Sequence, residues 1–240
     1  MSIKLNAQSG GSVALDAPTQ TTSSADLTFK LPVADGSDGQ VLKTDGSSNL
    51  SFGSAAPGAG QIIETVTGIC DGRSITVGSG SYTLSNVTAQ QDLTSSYQEL
   101  NGSSIAYTPP SGTKQLIYRY TFQFAPSANS GISHYKVQVD GTDINPSRIT
   151  MAGEHVSNHH HHSLRSQEWI FDLTESSDDI ANGKIAGSGW TSNKTLRVVA
   201  REYDGASYQV SVHKNDYWEG ASASGALIVV KPRFFIQAIA

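Results

Sequence analysis

Apolar and polar positions alternate with a period of two along most of the chain. Alternation of this kind marks the runs 61–66, 116–124, 134–139, 196–200, 208–212 and 227–230, which read as strands with one face turned inward. Apolar residues at helical spacing over ten or more positions are almost absent, and only short exceptions such as 176–181 remain. Clusters of Gly, Asp, Asn, Ser and Pro divide the runs at short intervals, which predicts an all-β sandwich or barrel and not βαβ units. The final stretch 234–240 is apolar to its last residue. It predicts a buried strand, or a strand at a subunit interface.

The first 57 residues differ. They hold no Trp, Tyr, Cys or His, and Phe29 and Phe52 are their only aromatic residues. Short strand-like runs at 2–6, 12–16, 26–32, 40–45 and 49–52 carry too little apolar mass for a core of their own. Asp35-Gly36, Asp38-Gly39 and Asp45-Gly46 favour tight turns between them, because both residue types tolerate positive φ. The small-residue stretch 53–60 then reads as a linker. Two regions are expected: 1–57, an extended hairpin or shaft segment, and 58–240, a jelly-roll-like β-sandwich head. The hairpins become stable if three chains bury Ile3, Leu5, Val13, Leu15, Leu27, Phe29 and Leu31 against each other.

Composition narrows the functions. Charged residues make up 15% of the 240, with 16 Lys+Arg against 21 Asp+Glu and a net charge of −5, so a nucleic-acid surface is not expected. No apolar run is long enough to cross a membrane, and the start lacks the pattern of a secretory signal. The single cysteine, Cys70, excludes an intrachain disulfide and, in an apolar run, reads as a small hydrophobe.

The string from Leu31-Pro32-Val33-Ala34-Asp35-Gly36 through Asp45-Gly46, completed by Asn49-Leu50-Ser51-Phe52, resembles a module of fibre-like and appendage virion proteins of tailed phages, especially those of marine bacteria. The segments 104–115, 133–136 and 200–203 look like the globular β-domain that follows it. This resemblance implies a homotrimer whose slender part anchors to other virion proteins and whose head points outward on the particle, where it contributes to adhesion to a host-surface glycan or protein. The alternative is a decoration or connector protein that touches no host.

Candidate chemistry is sparse. His159, His160, His161 and His162 suit a transition metal by ligand type. Neighbours on a strand point to opposite faces, however, so the run reads first as a solvated loop and second as an ion or anion site on a symmetry axis. The acids Asp172, Glu175, Asp178, Asp179, Asp204, Asp216 and Glu219 sit beside turn residues and read as loop charges, not as a glycosidase pair. No nucleophile elbow and no phosphate-binding glycine loop occurs. No enzymatic activity and no cofactor are therefore expected. Tyr203, Tyr208, Tyr217 and Trp218, set among polar residues, are the candidate ligand-binding aromatics, with packing at the end of the sandwich as the competing reading. Trp169 and Trp190 are expected in the core.

Overall fold

The computed structural model describes residues 3–6, 12–15, 21, 26, 28–126, 131–153, 155–156, 159–160, 162–187, 189–205, 207–217 and 226–240. Internal contacts divide the chain into two units, Met1–Ala56 and Pro57–Ala240.

The first unit is built of hairpins. Ile3–Asn6 pairs with Ser12–Leu15, and Gln40–Thr44 pairs with Leu50–Ser54, both antiparallel. Gly46 and Ser48, both at positive φ, turn the second hairpin, and the Asp45 carboxylate accepts the backbone N–H groups of Ser47 and Asn49. The Asn49 side-chain amide, donating to Asp45 at 2.6 Å, is the main reason that this carboxyl sits below its ordinary range. The expected strand at 26–32 does not form among the described residues. Only Lys30 joins the hairpin, through one parallel bridge to Asn49, because Pro32 has no N–H with which to extend the ladder. No described residue of this unit is buried.

The second unit is an all-β sandwich with its own core. One sheet has seven strands: Lys184–Ala186, Ser163–Glu175, Gln115–Pro126, Arg233–Ile239 and Ile62–Ile69 in spatial order, with Val210–Val212 and then Gln91–Asp92 continuing from the far end of Gln115–Pro126. The second sheet has six. Its centre is Lys194–Glu202 paired with Ile132–Val139, flanked by Ile105–Tyr107, Gln98–Glu99, Thr142–Asp143 and Ile149–Ala152. Every pairing is antiparallel except Lys184–Ala186 on Ser163–Glu175. The apolar C-terminus is the inner strand Arg233–Ile239, bonded on both sides by strands of the same chain.

Alternation decides what lies between the sheets. Leu116, Tyr118, Tyr120, Phe122 and Phe124 alternate inward on one strand and meet Tyr135, Val137 and Val139 of the other sheet. Phe122 and Tyr135 are 5.2 Å apart across the interface. Each buried tyrosine hydroxyl has a partner, as burial demands. Tyr118 donates to the Ser103 carbonyl at 2.6 Å, Tyr120 to the Asn101 carbonyl at 2.5 Å, and Tyr107 to Glu64 Oε1 at 2.9 Å. Cys70 is buried beside this joint, and burial pushes its thiol up to about 12.

Three local expectations change. Residues 176–181 form no α-helix, only the single 3-10 turn Ile180–Asn182, which Gly183 ends at φ 73°. Tyr208 precedes its strand instead of starting it. Trp190 is buried and donates to the Tyr107 carbonyl at 2.9 Å, but Trp169 is only half-buried and lies over Gly183 at the margin of the core.

Candidate functional site

The outward face of the six-stranded sheet carries the richest cluster of recognition groups among the described residues. His134 and Lys136 point outward from Ile132–Val139, where their neighbours Ser133, Tyr135 and Val137 are buried in the core. On the adjacent strand Arg201 stands directly opposite His134, and on the other side Thr150 does. Register therefore lays Arg201, His134 and Thr150 in one row across three strands. His134 Nδ1 lies 2.9 Å from Thr150 Oγ1.

Aromatic rings flank Arg201 and His134 in this row. Tyr203 meets the His134 ring at 6.3 Å and Tyr208 at 5.5 Å, both edge-on. Tyr97, just before Gln98–Glu99, lies 3.8 Å from Lys136 Nζ and 5.9 Å from the Arg201 guanidinium. Tyr203 and Tyr97 are 54% and 42% exposed, so the sides of these rings are open to a ligand. Burial, and secondarily the Arg201 charge, lower the His134 pKa and so favour the neutral imidazole. A neutral ring can both donate and accept a hydrogen bond.

The expected site residues are distributed unevenly. Tyr203 and Tyr208 come together on this ledge. Tyr217 lies on the separate ribbon of Lys214–Tyr217 with Ala226–Val229. His159 and His160 form one side of a two-stranded ribbon in which His160 is opposite His155. His162 Nδ1 lies 3.2 Å from Asn215 Oδ1. His161 and Trp218 lie outside the described residues, and His159, His160 and Tyr217 are described by backbone alone. Among the described residues no group of three or more His, Cys, Asp or Glu side chains could hold a metal ion. Tyr97, His134, Lys136 and Arg201 were not singled out by sequence as ligand groups. For three of them the signal was the polar phase of two alternating strands, whereas Tyr97 sits in a turn and had none.

The loop acids serve local structure. Asp172 accepts the N–H and hydroxyl of Thr174, Glu175 pairs with Lys184 at 2.8 Å, and Asp178 accepts the Ala186 N–H. Glu219 lies outside the described residues. Two acids that the sequence did not flag, Asp92 and Glu202, share a cleft of about 280 Å³ with Ser211 and Lys214. Burial raises the Glu202 pKa, with the Asp204 and Asp92 charges adding to it, while the Val210 N–H opposes the shift. Asp92 accepts the Ser211 hydroxyl at 2.6 Å. Both carboxylates are engaged by the strand Val210–Val212, so the cleft reads as a joint between the sheets.

No protein-family model and no curated protein matches this chain. Solved structures do match. One is the structure of the infectious bursal disease virus Gt strain, at 11% identity and TM-score 0.31 over 83% of this chain and 42% of that one. Another is the VP2 subviral particle of infectious bursal disease virus, at 10% identity and TM-score 0.29 over 79% and 43%. The chain thus spans about two fifths of the length of those chains. Likeness of this degree assigns no function.

Proposed function

We propose that the chain is a non-enzymatic structural subunit of a tailed-phage particle: a trimeric fibre or spike, on tail or capsid, attached through its N-terminal unit and carrying an outward, adhesive head. The observation behind this reading is the apolar surface of the N-terminal unit. Phe29, Leu31, Val33, Val41, Leu42 and Phe52 are between 40% and 106% exposed, and no described residue beside them is buried. Soluble proteins rarely leave such a patch open. Fully burying one of these side chains contributes about 1.5–3 kcal/mol, so association with further copies or with virion partners stabilises what one chain leaves unburied. The shallow cup formed by Lys30–Asp35 against Asn49–Phe52 offers such a seat.

A connector role is the second reading. It is favoured by apolar residues on the outer face of the seven-stranded sheet, where Ile62, Ile69 and Ile170 are 60%, 41% and 50% exposed. A protein with apolar surfaces on both units suits a place between two partners.

Light scattering after size exclusion tests the assembly. The full chain should have a mass near three times 25.4 kDa, and residues 57–240, which hold a core of their own, should fall to monomer or to a weaker assembly. Monomers in both would overturn the trimeric fibre and leave the N-terminal unit as a segment that pairs only with another virion protein.

A further inference from the structure

The basic residues of the six-stranded sheet show one exception. Lys136 pairs with Asp143 at 2.6 Å, Arg148 with Asp143 at 3.5 Å, Arg197 with Glu99 at 3.3 Å, and Lys194 with Asp140 at 3.9 Å. Arg201 pairs with no carboxylate among the described residues, and its Nε is buried without an acceptor. The Arg201 side chain is nevertheless part-exposed, so its guanidinium charge is open to a bound carboxylate, with which it would form charge-assisted hydrogen bonds. The tyrosines divide in the same way. The hydroxyls of Tyr107, Tyr118 and Tyr120 in the core are all hydrogen-bonded, whereas those of Tyr97, Tyr203 and Tyr208 make no hydrogen bond to described residues.

We propose that the ledge formed by Tyr97, His134, Arg201, Tyr203 and Tyr208 binds an acidic saccharide, with Arg201 taking a sugar carboxylate and the flanking aromatic rings taking the sugar faces. This names the ligand class of the adhesive head and rests on that part of the reading above, though not on the trimer. Four features select the class. A single unpartnered cation suits one carboxylate and not a polyanion, which the net charge of −5 also repels. Tyrosine rings pack against the apolar face of a pyranose, while free hydroxyls and the neutral His134 imidazole match its hydroxyl groups. The ledge is the middle of a sheet: Lys194–Glu202 is bonded along both edges, so no free backbone is offered to an extended peptide. The Arg201 guanidinium also faces the Tyr97 ring, which limits its freedom and so the entropy lost on binding.

The experiment is titration calorimetry of the full chain with methyl galacturonoside, methyl mannuronoside and sialyllactose, each carrying one carboxylate, against methyl galactoside, methyl mannoside and lactose as neutral counterparts and a tetrapeptide with a single carboxylate as control. The acidic sugars should bind in the micromolar to low millimolar range and weaken with salt. Arg201→Gln should reduce their affinity at least about tenfold without altering the weaker neutral binding. Tyr203→Ala should weaken both kinds of sugar, and Arg119→Gln, on the other sheet, should change neither. Thermal melts of each variant separate loss of binding from loss of fold. Absence of acidic-sugar binding, equal binding of the neutral sugars or the peptide, or full affinity in Arg201→Gln would overturn the proposal. The assembly reading is judged separately, by the light-scattering mass of the same samples.

Discussion

His213 makes the acid stability of the head a quantitative test of its packing. The side chain is fully buried, its ring meets Tyr120 at 6.4 Å, and neither ring nitrogen has a side-chain partner among the described residues. Burial lowers its pKa from 6.5 to about 4, opposed only by a backbone interaction at Asn101. The unfolded chain therefore binds a proton between pH 6.5 and 4 that the folded head refuses. Stability is retained above the unfolded value and lost as pH falls through that window. A difference of about 2.5 pKa units at about 1.4 kcal/mol each gives a loss of roughly 3 kcal/mol between pH 7 and pH 4. His213→Phe keeps a ring in the site and removes the proton. Urea melts of both proteins across this range should show the stability difference moving by roughly 3 kcal/mol in favour of Phe on acidification, with the other histidines cancelling. Parallel loss in the two proteins, or an NMR titration of His213 near 6.5, would refute the argument.

Three further outcomes follow from other contacts. Glu64→Ala strands the Tyr107 hydroxyl and the Ser79 N–H, which the carboxylate accepts at 2.9 and 2.8 Å, and leaves the Ser79 hydroxyl with Tyr82 alone; a loss of about 2–4 kcal/mol is expected in denaturant melts, and a change within about 0.5 kcal/mol would show that these contacts do not hold the Ser74–Thr83 hairpin to the sheet. Gly183→Ala drives a Cβ into the Trp169 indole at a residue with φ 73°, whereas at Gly141, φ 81°, nothing lies within 4 Å; Gly141→Ala should cost about 1 kcal/mol of strain alone, Gly183→Ala clearly more, with a shift in tryptophan emission. Val33→Asp combined with Leu31→Ser should lower the light-scattering mass while leaving the melting of the head unchanged, because both residues are exposed and lie in the unit in which no described residue is buried; an unchanged mass would remove them from the interchain contact.

Much of the head is legible in its alternation. The run 116–124 predicts both the strand and its inward residues, since a period of two turns every second side chain to the same face and burial of that face fixes the register. The C-terminal apolar run is legible for the same reason, but whether its partners belong to the same chain is not: strands 62–69 and 115–126, which clasp it, both lie more than a hundred residues before it, and no local pattern encodes that pairing. Residues 176–181 mislead because a helical spacing over six positions cannot outweigh a Gly at the required left-handed stop and a neighbouring strand that captures the backbone. Trp169 misleads because a tryptophan inside an apolar quartet can still stand at the rim of the sheet.

The all-β class, the positions of most strands, the scarcity of apolar mass before residue 57 and the absence of a nucleotide or nucleophile motif can all be read along the chain, because each is written in neighbouring residues. Tertiary structure decided the rest. Tyr203 and Tyr208 are close in sequence and could be named together, but Tyr97, His134 and Arg201 join them only through the register of Ile132–Val139 against Lys194–Glu202 and the return of Gln98–Glu99 to the same sheet. That, among the described residues, Arg201 alone of the basic residues of this sheet lacks an acid, and His213 is buried without a side-chain partner, are facts of three-dimensional neighbourhood. They depend on long-range antiparallel pairing, which brings distant residues within a few ångströms and which no periodicity along the chain records.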